Sequence, residues 1–102
     1  MPHVYLIHFE EKLHHAGHYL GYSRILTTRI WLHKTNQGAK LLKAVNEAGI
    51  PWRVVRTWVV DDQELERMLK NQKNSPRFCP VCNPALAGKI ENHYREAPVF
   101  TL

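Results

Sequence analysis

The sequence predicts a small α+β domain with elements in the order β-β-α-α-β-α, followed by a C-terminal tail. Three observations lead there. Apolar and aromatic residues crowd into strand-like runs near positions 3–9, 18–23 and 52–60. Elsewhere the apolar spacing switches to i, i+3, i+4, the period of a helix face. The chain has 102 residues, 44% apolar and 23% charged, which suits one domain with one modest core.

Each element has its own signature. His3 to Phe9 is dense in Val, Tyr, Leu, Ile and Phe and reads as the first strand. Glu10 to Gly17 is polar and reads as a hairpin connection, with His18 to Ser23 returning as the second strand. Gly21 within that strand implies close approach by another backbone or a ligand. Leu26, Arg29, Ile30 and His33 then lie at i, i+3, i+4 and i+7, one face of a helix for which Ser23 is a suitable N-cap. Gly38 breaks this helix. Ala39 to Ala48 forms the next, with Leu41, Leu42 and Val45 inward and Gly49 in the position after the C-cap. Pro51 introduces the strand Trp52 to Val60. Asp61 and Glu64 fit a capping box for a third helix, whose inner stripe is Leu65, Met68, Leu69 and Gln72. Residues 1–84 form the domain and residues 85–102 a tail that can pack on it, with a short helix near Lys89 to Tyr94 as one reading.

Composition narrows the function. The apolar fraction excludes disorder, and two cysteines exclude a disulfide framework. The longest uncharged apolar run, Val4 to Ile7, is far short of the roughly 20 residues that span a bilayer. No charged segment precedes a long apolar stretch, as a signal peptide requires. A cytoplasmic protein with no membrane partner is expected. The net charge is +5, unevenly spread. Residues 24–60 carry seven basic side chains against Glu47 alone, and residues 61–66 carry four acids. A basic middle beside an acidic knot suggests a phosphate-bearing partner, although solubility alone also calls for net charge.

Several residues resist a purely structural reading. Arg29 shares a stripe with Leu26 and Ile30, so it is either a boundary residue that reaches out to water or a guanidinium presented to a phosphate. Glu66 neighbours the apolar stripe of its helix. It can pair with Lys70 at i,i+4, or serve as a lone carboxylate ligand for Mg²⁺. Tyr5 and Tyr19 can project toward one end of a hairpin, as packing residues or as a phenol near an attacking water. Trp52 and Trp58, near Arg53 and Arg56, are either core or stacking surfaces for bases.

Taken together these residues resemble the GIY-YIG nuclease family. Val4-Tyr5 represents its first motif and Tyr19-Leu20-Gly21 its second. The run from Tyr19 through Ser23, Leu26, Arg29 and Ile30 to His33 matches the family's Y-x-G-x-[ST]-x-x-L-x-x-R-[LI]-x-x-H spacing. Asn36, Gly38, Ala39 and Lys40 look like the segment after that helix. Leu65-Glu66-Arg67-Met68-Leu69-Lys70 is similar to its L-E-x-x-[LI]-K helix, and Pro76-Arg77-Phe78 to its closing P-R-[YF]. The resemblance implies a three-stranded antiparallel sheet flanked by helices and a metal-dependent endonuclease that hydrolyses DNA phosphodiester bonds, selecting structure or single-strandedness. It implies that Glu66 holds one Mg²⁺ or Mn²⁺, that Tyr5 accepts a proton from water, and that Arg29 and Tyr19 hold the scissile phosphate with His33 in support. Gly21, Arg24, Lys40, Lys70 and Arg77 would contact nucleic acid. A non-catalytic nucleic-acid-binding module of the same fold is the alternative.

The sequence also departs from that family. The connection between the first two motifs carries His14, His15 and His18 and is longer than usual. Cys79 stands where many members have asparagine, a place Asn74 or Asn83 could fill. No second DNA-binding domain is evident. Cys79-Pro80-Val81-Cys82 has the spacing of a zinc knuckle, but a structural zinc needs four ligands, which His93 or the group His14, His15 and His18 would have to complete. Two reduced thiols in a proline-rich turn are expected ahead of zinc, and a zinc-stabilised interaction domain is the least favoured function.

Overall fold

A computed structural model describes residues 2–61, 63–72, 79–82 and 95–97. Strands β1 (His3–Leu13) and β2 (Ala16–Ser23) are followed by helices α1 (Leu26–Lys34) and α2 (Lys40–Glu47), strand β3 (Trp52–Val59), helix α3 (Glu64–Gln72) and a short strand β4 (Arg95–Ala97). The sheet is antiparallel with spatial order β2-β1-β3-β4. Three of its strands lie where the sequence indicates. The fourth comes from the segment read as a tail, which therefore contributes to the sheet; the helix expected at residues 89–94 lies outside the described residues.

β1 is central and covered on both faces, which explains its unbroken apolar run. Val4 and Leu6 pack with Leu20, Trp58, Val60, Leu65 and Cys79 on one face. On the other, Tyr5, Ile7 and Phe9 meet Leu26 and Ile30 of α1 and Leu42 and Val45 of α2. Trp58 is thus a core residue. Trp52 is half-buried, with its indole N–H donating to Asn46 Oδ1 at 2.7 Å and the Lys34 ammonium 5.1 Å from its ring. Neither indole is laid out as an open platform for bases.

Several local expectations need correction. The stretch 10–17 is mostly strand, because β1 and β2 continue to a tight turn at His14-His15, with His14 at φ 56°. Ser23 does not cap α1. Its hydroxyl accepts the Ile25 N–H and donates to the Ile25 carbonyl, building a turn before the helix, and Ile25 becomes the N-cap. α1 ends before Gly38: Asn36, at φ 63°, turns the chain while Gln37 N–H bonds the Leu32 carbonyl at 2.8 Å. That is a Schellman closure with asparagine in the left-handed position. α2 ends the same way around Gly49 at φ 73°, with Ile50 N–H on the Val45 carbonyl. α3 begins at Glu64, so Asp61 is not its N-cap. Leu65 is fully buried, but Met68 is 37% exposed and belongs to neither core cluster. Of Leu69 and Gln72 only the backbone is described. No helix among the described residues is long and apolar enough to cross a membrane.

Candidate active site and a histidine–cysteine cluster

Strand alternation places Tyr5 and Gly21 opposite each other in register, on the face covered by α1. Tyr19, two residues earlier on β2, shares that face and pairs with Ile7. α1 then delivers its stripe: Leu26, Ile30 and His33 are buried, and Arg29 is half-buried at the rim. His33 meets Tyr5, with the Tyr5 hydroxyl 2.7 Å from His33 Nε2. The other ring nitrogen, Nδ1, lies 3.4 Å from the Ala39 N–H. A backbone N–H can only donate, so Nδ1 is the acceptor and Nε2 carries the ring hydrogen. His33 therefore donates to the Tyr5 oxygen, leaving the phenol hydrogen to be directed elsewhere.

The electrostatics follow from burial. Burial, helped by the nearby Arg29 charge, pushes His33 down from 6.5 to about 4, so it is neutral near pH 7. Burial also pushes the Tyr5 phenol well above its usual range, reinforced by Tyr19 and Glu66 and only partly opposed by Arg29. Tyr5 is fully buried and stays protonated. Burial thus disfavours a tyrosinate at this position, and Tyr5 and His33 form a buried hydrogen-bonded pair whose rings both lie against Tyr19. The Tyr5 ring also takes the space over Gly21, since a Cβ there would collide with its Cζ and Oη. The close approach implied by Gly21 is thus made by a side chain of the core. Gly38 likewise sits against the His33 ring, where a Cβ would meet Nδ1.

In front of this pair lies an open cavity of about 570 Å³. β2 contributes Tyr19, Tyr22 and Ser23, the following turn Arg24, α1 Thr28 and Arg29, and α3 Glu66. Three expected catalytic residues, Tyr19, Arg29 and Glu66, thus line one cavity although they come from three elements. Arg24 joins them. Lys70 reaches the site indirectly, its ammonium 3.4 Å from Glu66 Oε2. Lys40 starts α2 and is exposed, away from the cavity lining. Arg77, with Asn74, Pro76, Phe78, Asn83 and His93, lies outside the described residues.

The metal expectation is overturned. Glu66 is the only acidic side chain among the described residues lining this cavity, and it is engaged by Lys70. No group of three or more metal-ligating side chains gathers there among the described residues. The described side chains that converge as metal ligands are instead His8, His18, Cys79 and Cys82, whose ligand atoms all lie within 4.8 Å of one another. Mixed imidazole and thiolate donors suit zinc and are a poor match for hard cations. Cys79 and Cys82 are free and lie at a turn, as expected, but the two histidines beside them overturn the ranking of ordinary thiols ahead of zinc.

The cluster is built by the same hairpin. His8 and His18 are in-register partners on β1 and β2, so their side chains share a face, the one opposite Tyr19. Cys79 is fully buried at the edge of the core beside Val4 and Leu6, while Cys82 is exposed. Burial together with His8 and Lys12 pushes His18 down to about 4, and burial and Cys79 push the Cys82 thiol up. The sequence offers His18 in the right neighbourhood. His8 is not legible as a ligand, because it looks like an alternating residue of an ordinary strand until the hairpin register is known. No family model matches the chain, and no curated protein or solved structure matches it significantly.

Proposed function

We propose that this protein is an endonuclease that hydrolyses phosphodiester bonds of DNA in the cavity between β2, α1 and α3. The observation that carries the reading is the convergence of Tyr19, Arg29 and Glu66, with Arg24, on that one cavity. Guanidinium groups suit non-bridging phosphate oxygens, since their planar fork places two donors on two oxygens. Arg29 is half-buried, where water screens it less than a fully exposed cation. It neutralises the charge that develops as the new P–O bond forms and the ester P–O bond breaks, the leaving oxygen taking its proton from solvent water. Glu66 supplies a carboxylate able to accept the proton of the attacking water. Tyr19 holds a phosphate or ester oxygen through its hydroxyl, and the Tyr5–His33 pair keeps Tyr19 in place. The +5 net charge draws the polyanion toward the protein.

The test is cleavage of labelled single-stranded, duplex and branched DNA, in buffers with and without added divalent cations. Wild-type protein is compared with Glu66→Gln and Arg29→Ala. Cutting of at least one form is expected. Glu66→Gln abolishes it while keeping the fold, and Arg29→Ala lowers turnover by about 10²–10³-fold, the usual cost of losing an electrostatic stabiliser. Binding of DNA with no cutting by the wild type refutes the nuclease reading and leaves a binding module. If Arg29→Ala instead unfolds the protein, Arg29 is an ordinary boundary residue.

A further inference from the structure

The contacts around His8 are chemically odd unless something sits among them. His8 Nδ1 lies 3.4 Å from His18 Nε2, 3.5 Å from Cys79 Sγ and 3.6 Å from Cys82 Sγ. One ring nitrogen has a single in-plane hydrogen or lone pair, so it cannot form three good hydrogen bonds at once. Cys82 Sγ is in turn 3.4 Å from His18 Nε2. A tetrahedron with metal–nitrogen bonds of about 2.0–2.1 Å and metal–sulfur bonds of about 2.3 Å has N···N edges of about 3.4 Å and N···S edges of about 3.5–3.6 Å. The four separations match those edges to within about 0.2 Å.

We propose that His8, His18, Cys79 and Cys82 bind one Zn²⁺ as a closed tetrahedral site that fastens the Cys79–Cys82 segment onto the β1–β2 hairpin. The donor set is complete without water, as in structural rather than catalytic zinc sites. Two thiolates and two neutral imidazoles cancel the ion's charge, so a partly buried position carries no net charge to desolvate. The exposed thiol of Cys82 gives the ion a path in. The site also explains the composition of the hairpin. His8 and His18 occupy paired positions where apolar residues would otherwise extend the Val4–Leu6 face, and Cys79 already belongs to that core. The ion lies on the opposite face of the hairpin from Tyr19, so it is independent of the cavity proposed for phosphodiester cleavage.

The test uses the full chain, reduced and purified without added chelator. Elemental analysis is expected to find one equivalent of zinc. Cobalt titrated into the zinc-free protein gives the strong visible bands of tetrahedral coordination together with thiolate-to-cobalt charge transfer. Cys82→Ser, at an exposed position, and His18→Gln keep the fold by circular dichroism but lose the zinc and the tetrahedral cobalt spectrum. Chelator lowers the unfolding temperature of the wild type and leaves that of Cys82→Ser unchanged. Cobalt binding by the wild type does not depend on any variant folding. The proposal is overturned if reduced wild-type protein binds neither ion, if its two cysteines are recovered as a disulfide, or if both variants keep a full equivalent with unaltered spectra.

Discussion

Replacing Gly21 with alanine tests the packing that joins the hairpin to the Tyr5–His33 pair. A Cβ at Gly21 would lie 2.8 Å from Tyr5 Cε1 and nearer still to Cζ and Oη. Comfortable carbon–carbon contacts are about 3.5–4.0 Å, so the ring must retreat by roughly 1 Å or more. Tyr5 is fully buried and has nowhere vacant to go. Overpacking of this kind costs about 1–3 kcal/mol. Moving the hydroxyl from its 2.7 Å contact with His33 leaves a buried imidazole donor unpaired, at a further cost of about 1–3 kcal/mol. Alanine in a strand recovers about 0.5–1 kcal/mol through a less flexible unfolded chain. The net expectation is a loss of about 1–5 kcal/mol, a large share of the roughly 5–15 kcal/mol available to a domain. Urea unfolding reads this as a lowered midpoint at unchanged slope. Gly17→Ala is the control, because the nearest atom to its Cβ is Lys12 Cγ at 3.5 Å, an ordinary contact on a flexible side chain. Combining Gly21→Ala with Tyr5→Leu removes the ring end that the new methyl strikes. The double variant should be more stable than the sum of the single effects by over about 1 kcal/mol. A neutral Gly21→Ala, or strictly additive effects, would refute the reasoning.

Two further predictions concern the same region. Between pH 6.5 and about 4 the unfolded chain takes up a proton at His33 that the native protein refuses, since burial and Arg29 hold the imidazole neutral. Stability therefore falls as pH drops through that window, by up to about 3 kcal/mol from this group; urea titrations near pH 7 and pH 4.5 measure it, and His33→Gln should shrink the difference. Asn46 donates through Nδ2 to the His33 carbonyl and Asn36 Oδ1, each at 2.8 Å, and accepts from the Trp52 indole. Asn46→Ala should cost about 1–3 kcal/mol in thermal unfolding by stranding those partners, whereas an unchanged transition would show the network contributes nothing.

The legible parts of this protein were those written in local period. The Leu26, Ile30 and His33 stripe, the Val4–Ile7 run and the α2 pattern ended by Gly49 each depend on neighbours within a few residues, so spacing alone reveals them. Local signals also misled where two mechanisms compete for one residue type. Ser23 looks like an N-cap, yet its hydroxyl closes the preceding turn; Gly38 looks like a helix stop, yet Asn36 performs that task two residues earlier.

Sequence by itself therefore determined the α+β class, the succession of the main strands and helices, and the candidacy of Tyr19, Arg29 and Glu66. Only the tertiary structure decided which candidates meet. Tyr19, Arg29 and Glu66 come to one cavity because α1 and α3 flank the edge strand β2. Tyr5 and His33 are withdrawn behind it, with burial keeping one protonated and the other neutral. Most of all, the ligand set of His8 with His18, Cys79 and Cys82 depends on hairpin register and on where the chain returns about seventy residues later. A metal site needs a few atoms within bonding distance of one point, and distance across a fold is the one quantity that spacing along a chain does not contain.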